Sequence, residues 1–266
     1  MNSSYFDMYK EIYKKNNLSI NNNSLLRLVI ILGTHCSLKC RNCNNLIPYF
    51  DKPITVDPSV IISSLGQILK CISSVERVEL IGGEPFLEKK LQDVLEYLLP
   101  QPEVKKIEIT TNGTVIPQEC LVNALKHEKV FVEISNYGEV ANRRKVESFC
   151  AEKGIKYKIL DIENWIKSGD TAFRKRTPSQ LEAQYISCVS SYYCKTLFGD
   201  KLFQCARSAG LFGLGICREQ ELYLTINPNT ETKDLFDFIF SDINIGCNYC
   251  DSGTEMGYKI PVAEQL

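Results

Sequence analysis

Between residues 25 and 160 the apolar positions follow two alternating rhythms. Leu25–Leu32 is a nearly continuous apolar run, which predicts a strand buried on both faces. Asp57-Pro58 then offers a helix cap and a first-turn proline, after which Ile61, Leu65, Ile68 and Leu69 recur at helical spacing. The pair repeats. Strand Arg77–Ile81 precedes a helical stripe of Leu91, Val94, Leu95, Leu98 and Leu99, stopped by Pro100. Strand Lys106–Thr111 precedes a helix expected to start at Pro117 and to carry Leu121, Ala124 and Leu125. Strand Val130–Ser135 precedes a helix over Val140–Cys150, and Ile155–Leu160 is the fifth strand. Strict alternation of this kind predicts βαβ units on a parallel sheet. The expected class is α/β, a partial (β/α)6 barrel of the TIM type, with its chemistry at the C-terminal strand ends. The pattern itself does not place a sixth strand.

The rhythm stops near Trp165. Residues 165–180 are polar and include Arg174, Lys175 and Arg176; beyond Tyr185 the chain turns to short strands, glycines and cysteines. Three parts are expected: an N-terminal extension over 1–24, the barrel over 25–184, and a small cysteine-rich domain over 185–266. About 80 residues bury little core, so a metal cluster would supply part of that domain's folding energy. Met1–Lys15 is polar and tyrosine-rich, unlike a secretory signal, and no window has the apolar length of a membrane span. With 31 Lys+Arg against 32 Asp+Glu, the charge gives no reason to expect nucleic acid or an anionic membrane as partner. A cytoplasmic protein is expected.

The composition is otherwise ordinary, with one exception: twelve cysteines against two histidines in 266 residues. In a reducing compartment that many thiols argue for metal rather than disulfides. They also cluster. Cys36, Cys40 and Cys43 form a C-x-x-x-C-x-x-C group directly after the first strand; Cys247 and Cys250 form a C-x-x-C pair with Cys194 and Cys205 upstream. Zinc is one alternative, but the shortage of histidine and the spacing do not match a finger, and thiolates suit iron–sulfur clusters equally well. Three ligands on a four-iron cube leave one iron open to a small molecule.

Four motifs in order then mark a resemblance. Cys36–Cys43 follows strand one, Gly82-Gly83-Glu84-Pro85 strand two, and Thr110-Thr111-Asn112-Gly113 strand three, while Ser135 ends strand four. Together they resemble the radical S-adenosylmethionine (SAM) superfamily over residues 25–160. The resemblance implies a radical-generating [4Fe–4S] cluster on Cys36, Cys40 and Cys43, with SAM bound to its open iron. It places Gly82 and Gly83 against the methionine part and Glu84 on its ammonium. It places Asn112 and Ser135 at ribose and carboxylate, and Asn42 by its backbone near adenine, where the family often has an aromatic residue. The implied chemistry is reductive cleavage of SAM to a 5′-deoxyadenosyl radical, which abstracts a hydrogen atom from substrate. An external electron donor such as flavodoxin or ferredoxin is implied too.

Cys194, Cys205, Cys247 and Cys250 make up the closed count for a second [4Fe–4S] cluster. Thr196–Phe198 and Lys201–Phe203 flank Gly199-Asp200, a hairpin signal that would bring Cys194 and Cys205 to one end. The region resembles the auxiliary-cluster modules of radical enzymes, the shorter twitch type more than the two-cluster SPASM type. Cys188 is an alternative to Cys194, and Cys217 reads as a buried thiol. By length and layout the chain is similar to the 2-deoxy-scyllo-inosamine dehydrogenases of aminoglycoside biosynthesis. That implies oxidation of an alcohol carbon of a sugar, aminocyclitol or nucleotide sugar. The alternatives are a radical epimerase, with Cys217 or Cys188 returning a hydrogen atom, a peptide-modifying enzyme, or a non-catalytic iron–sulfur or zinc protein. Glu79, Glu108 and Glu133 on adjacent strands, and Arg174–Arg176, are candidate substrate contacts, solvated polarity being the competing reading. Trp165 reads as packing, and His35 as support for the cysteine loop.

Overall fold

The computed structural model describes residues 3–15, 23–138, 143–241 and 243–266. One eight-stranded sheet organises the chain: β1 Leu28–Ile31, β2 Val78–Ile81, β3 Ile107–Thr111, β4 Val130–Asn136, β5 Tyr157–Asp161, β6 Thr196–Phe198, β7 Lys201–Phe203 and β8 Tyr223–Thr225. Its order is β8-β7-β6-β1-β2-β3-β4-β5. Strands β1 to β5 are parallel neighbours in sequence order, as the apolar runs predict. Every residue of β1 is buried, consistent with a strand covered on both faces.

The helices between strands bury the predicted stripes. Asp57 caps Pro58–Cys71 by accepting from the Ser59 amide, and Ile61, Leu65, Ile68 and Leu69 face inward. Leu91–Leu98 buries Leu91, Val94, Leu95 and Leu98. The expected helix from Pro117 is shorter. Gln118 is extended and offers no side-chain cap, and a 3-10 turn over Glu119–Leu121 leads into one α turn, Val122–Leu125. Arg143–Lys153 is helical, and the first residues of the expected Val140–Cys150 helix lie outside the described residues.

The sixth parallel strand comes from an unexpected place. Thr196–Phe198 pairs with the free side of β1 rather than continuing beyond β5, with Val29 opposite Thr196 and Ile31 opposite Phe198. It is the first arm of the cysteine-flanked hairpin, whose turn has Gly199 at φ +64. The cysteine-rich region therefore extends the same sheet. The extension before β1 is structured too. Helix Ser3–Lys15 buries Phe6, Tyr9 and Tyr13, and the rings of Phe6 and Tyr9 sit 4.6 and 5.3 Å from that of Phe240.

Candidate active site

The loop after β1 carries the three cysteines around one cavity of about 440 Å3, within the usual size of a ligand site. Its lining joins Cys36, Cys40 and Cys43 to Asn42, Gly82, Gly83, Asn112 and Ser135. All three thiols are driven up by burial, Cys36 to about 11. Such thiols give up their protons readily to a metal rather than to water. Residues 264–266 brace this loop. Arg41 N–H donates to Glu264 O at 2.7 Å, Leu266 N–H to Lys39 O at 2.9 Å, and the Gln265 amide to Cys40 Sγ at 3.3 Å. His35 Nδ1 lies 3.2 Å from Glu88 Oε1, in line with its supporting role.

The glycine pair joins two loops. A Cβ on Gly82 would lie 2.3 Å from Gly33 O, and one on Gly83 would lie 1.9 Å from His35 O. No real Cβ fits there, so glycine is what lets the loop after β2 lie flat against the cysteine loop. Gly83 N–H donates to Gly33 O at 3.1 Å and Glu84 N–H to His35 O at 2.6 Å.

The Glu84 carboxylate is fully buried and is not part of the cavity lining. Oε1 accepts from the Thr111 hydroxyl at 2.8 Å and the Phe86 amide at 3.2 Å, and Oε2 accepts from the Asn112 amide at 2.8 Å. Burial outweighs these donors and pushes the carboxyl up to about 7. Glu84 thus clamps the ends of β2 and β3. Asn112 continues the chain of contacts: its Nδ2 donates to Ser37 Oγ at 3.1 Å, and its Oδ1 accepts from the Thr114 amide at 3.0 Å.

Two aromatic residues join the site: Tyr137, which the sequence does not single out, and Trp165, which it reads as packing. Tyr137 and Trp165 both line the cavity and meet edge to face, ring centroids 5.6 Å apart. Burial raises the Tyr137 hydroxyl to about 12. Tyr137 follows Ser135 at i+2, just past the end of β4, where continuing the strand period points it to the same face. Glu79 is the one glutamate of the three that lines the cavity, held by Arg27 at 2.6 Å and by the Thr110 hydroxyl at 2.9 Å. Glu108 is buried between Arg27 and Arg77, and Glu133 pairs with Lys158.

A second, smaller cavity is lined by Cys188, Cys205, Cys247 and Cys250. Cys194 is not part of that lining. Helix Val189–Tyr193 separates Cys188 from Cys194, which lies outside that lining near Glu79 and Arg27 while still close enough to feel Cys205. The alternative set, with Cys188 in place of Cys194, is the one the fold gathers. Among the described residues no three Cys, His, Asp or Glu side chains are placed to hold a single metal ion. Four thiolates on one zinc crowd within about 4 Å of each other, whereas those at the corners of a cube stand further apart. An all-thiol set around one cavity fits an iron–sulfur cube. The polar and backbone groups of the larger cavity fit an amino-acid nucleoside beside three thiols.

Two residues of the basic loop are tied to the Cys247–Asp251 segment. Arg174 and Arg176 both pair with Asp251, at 2.8 and 3.1 Å, and Arg176 Nη1 donates to the carbonyls of Cys247 and Cys250. Lys195 is fully buried beside the cysteines and donates to Tyr185 and Gln204; burial lowers its ammonium to about 7. Cys217 sits in a separate apolar cluster and donates to Glu219, away from both cavities.

No family model matches the chain. A GTP 3′,8-cyclase of Clostridium perfringens is 28 % identical over 152 residues, 51 % of this chain and 46 % of the relative. One from Pasteurella multocida is 30 % identical over 81 residues, 29 % of this chain and 23 % of the relative. The chain thus spans about half or less of the curated relatives it matches. Among solved structures, BtrN in complex with AdoMet and 2-DOIA superposes with a TM-score of 0.58 at 16 % identity, covering 91 % of this chain and 98 % of BtrN. Native anSMEcpe with AdoMet and the Kp18Cys peptide gives 0.56 at 13 % identity, covering 86 % and 83 %. These superpositions establish the fold, an α/β arrangement on a parallel-rich central sheet.

Proposed function

We propose that the chain is a radical SAM enzyme, a reading supported by its likeness to the GTP 3′,8-cyclases and to BtrN, and that it oxidises an alcohol carbon of a small molecule. Cys36, Cys40 and Cys43 would hold the radical-generating cluster; Cys188, Cys205, Cys247 and Cys250 would hold an auxiliary one. When bound, SAM and the two clusters would supply the redox chemistry: an outside donor such as flavodoxin or ferredoxin would provide the electron for SAM cleavage, and the auxiliary cluster would accept the electron left on the substrate once its C–H hydrogen atom and hydroxyl proton had gone and C=O had formed.

One observation carries this reading. Asn44, Ser190 and Ser252 line both cavities, so the two cavities adjoin. A substrate in the larger cavity would then lie beside the proposed electron acceptor. The residues present divide the work. Asn112, Ser135 and the glycine loop form the polar rim for the nucleoside. Tyr137 and Trp165 wall the cavity and exclude water. Glu79 offers a hydrogen-bond acceptor on its floor. Among the described residues only Cys36, Cys40 and Cys43 line this cavity as thiols, which favours dehydrogenation over an epimerase that returns hydrogen from a spare cysteine. The substrate class we favour is an aminocyclitol, sugar or nucleotide sugar, supported by the match to BtrN, which holds 2-DOIA. Peptide modification is the second reading, supported by the peptide-bound anSMEcpe. No described helix is long and apolar enough to cross a membrane, and a cytoplasmic setting suits twelve thiols.

The test is anaerobic. With a strong reductant the protein should form 5′-deoxyadenosine and bind roughly eight irons per chain, four for each cube. Replacing Cys36, Cys40 and Cys43 with Ala should abolish cleavage. Replacing Cys247 and Cys250 should leave some cleavage but stop carbonyl formation from an aminocyclitol such as 2-DOIA; turnover that persists would refute the acceptor role. Solvent deuterium in the product would point to epimerisation, and binding of a precursor peptide to peptide modification.

A further inference from the structure

The hairpin that extends the sheet also delivers a buried charge. Phe203 pairs with Thr196 at its open end, so the next positions outward, Gln204 and Lys195, stand opposite one another, flanked by Cys205 and Cys194. The backbone there is fixed, because Lys195 O accepts from Val29 N–H of β1 at 2.8 Å. Lys195 has no exposed surface. Its ammonium donates to Tyr185 Oη at 2.6 Å and Gln204 Oε1 at 2.5 Å, and the Tyr185 hydroxyl donates to the same Gln204 oxygen at 2.6 Å. The Gln204 amide is held in turn by the Phe238 carbonyl. Tyr185 itself lines the cysteine cavity. Tyr185 and Gln204 are neutral, and thiolate charge at Cys205, Cys194, Cys188 and Cys247 would favour the ammonium. Hydrogen bonds to neutral oxygens only partly offset the cost of taking an ammonium out of water; nearby negative charge offsets the rest.

We infer that Lys195 is the built-in counter-charge of the auxiliary cluster and sets its reduction potential, with Tyr185 and Gln204 as the residues that aim it. The inference rests on the proposal that Cys188, Cys205, Cys247 and Cys250 hold that cluster. A thiolate-bound cube is negative and gains one more unit of negative charge on reduction. A fixed cation in a low-dielectric wall stabilises the reduced form more than the oxidised one and so raises the potential. Lys195 is a positioning residue here: it touches neither substrate nor the bond that breaks. Its effect is to make the cluster a better acceptor for an electron from the neighbouring cavity.

The experiment isolates the second cluster by working in the background with Cys36, Cys40 and Cys43 replaced by Ala. Reconstituted protein is titrated with dithionite against redox mediators while the reduced cluster is followed by electron paramagnetic resonance. Lys195→Gln should keep its iron but require a lower potential, the reduced-to-oxidised ratio at the parent's midpoint falling about tenfold. Lys195→Arg should restore most of the shift. Gln204→Glu is a second, nearly isosteric arm: its carboxylate cancels the Lys195 charge while leaving the lysine in place, and it too should lower the midpoint. An unmoved midpoint in either iron-loaded neutralising variant overturns the inference while leaving the auxiliary cluster intact. A parent that binds no iron in this background overturns the cluster itself, and with it the proposed acceptor.

Discussion

Glu84 clamps the ends of two strands through three hydrogen bonds. With every polar neighbour supplied by the protein, its carboxyl is raised from 4.5 to about 7, burial being the larger cause. A folded-state value above the unfolded one means that the native state keeps a proton the unfolded chain has released. The stabilisation is therefore complete below about 4.5 and is lost as the pH climbs to about 7. Glu84→Gln is neutral throughout and lacks this dependence. In urea unfolding of the apoprotein, the variant should gain about 1–3 kcal/mol on the parent between pH 5 and 7; parallel curves would show that Glu84 does not titrate in that window. Gly83 makes the companion case for shape. Gly83→Ala puts a carbon 1.9 Å from His35 O and 2.8 Å from Cys36 Cβ, both on the tightly packed cysteine loop. The strain should cost about 3 kcal/mol or more and push the loop outward, seen as a lower melting temperature together with loss of iron at the first site.

At the scale of elements, the loop over residues 169–176 shows how little a charge run says by itself. Arg174, Lys175 and Arg176 look like a phosphate clamp in the sequence, yet two of the three are spent on Asp251 and on the backbone between Cys247 and Cys250. Arg176→Met removes three donors from a part-buried cluster and should cost about 2–3 kcal/mol, or roughly 4–12 °C in melting temperature. In reconstituted protein, iron at the proposed second site should fall while that at the proposed first site is kept; equal loss at both would assign Arg176 a global role instead. The same contrast explains what was legible. Strands and helices between 25 and 160 show because each buries a face with its own period, as Leu91, Val94, Leu95 and Leu98 do. The motifs show because they sit at strand ends. The neighbour of β1 does not show, since Thr196–Phe198 carries no local mark of which edge it will join. Nor does the choice between Cys188 and Cys194, which one short helix decides. The first helix was hidden because its buried stripe, Phe6, Tyr9 and Tyr13, is aromatic and sparse among polar residues.

Taken as a whole, the molecule holds its most reactive loop between two distant stretches of chain. On one side the glycine loop after β2 presses on residues 33–36; on the other, residues 264–266 run antiparallel to Lys39–Arg41 and place an amide donor on Cys40. The sequence gives no hint of this second brace, because a three-residue ladder has neither period nor composition. Its physical effect follows from the count of bonds. Two backbone bonds, the Lys39 amide to Gln265 Oε1 at 2.8 Å, and the contact to Cys40 Sγ each contribute about 1 kcal/mol net. Their loss should favour local opening of the loop while the sheet stays closed. A chain lacking residues 264–266 should show faster hydrogen exchange at Arg41, by about 10- to 100-fold. Its protection in β2 and β3 should be unchanged, and a chelator should strip the first iron site sooner than the second. Gln265→Ala, which spares the backbone pairs, should fall between parent and truncation. Exchange at Arg41 as slow in the truncated chain as in the parent would mean that the glycine loop alone holds the three cysteines in place.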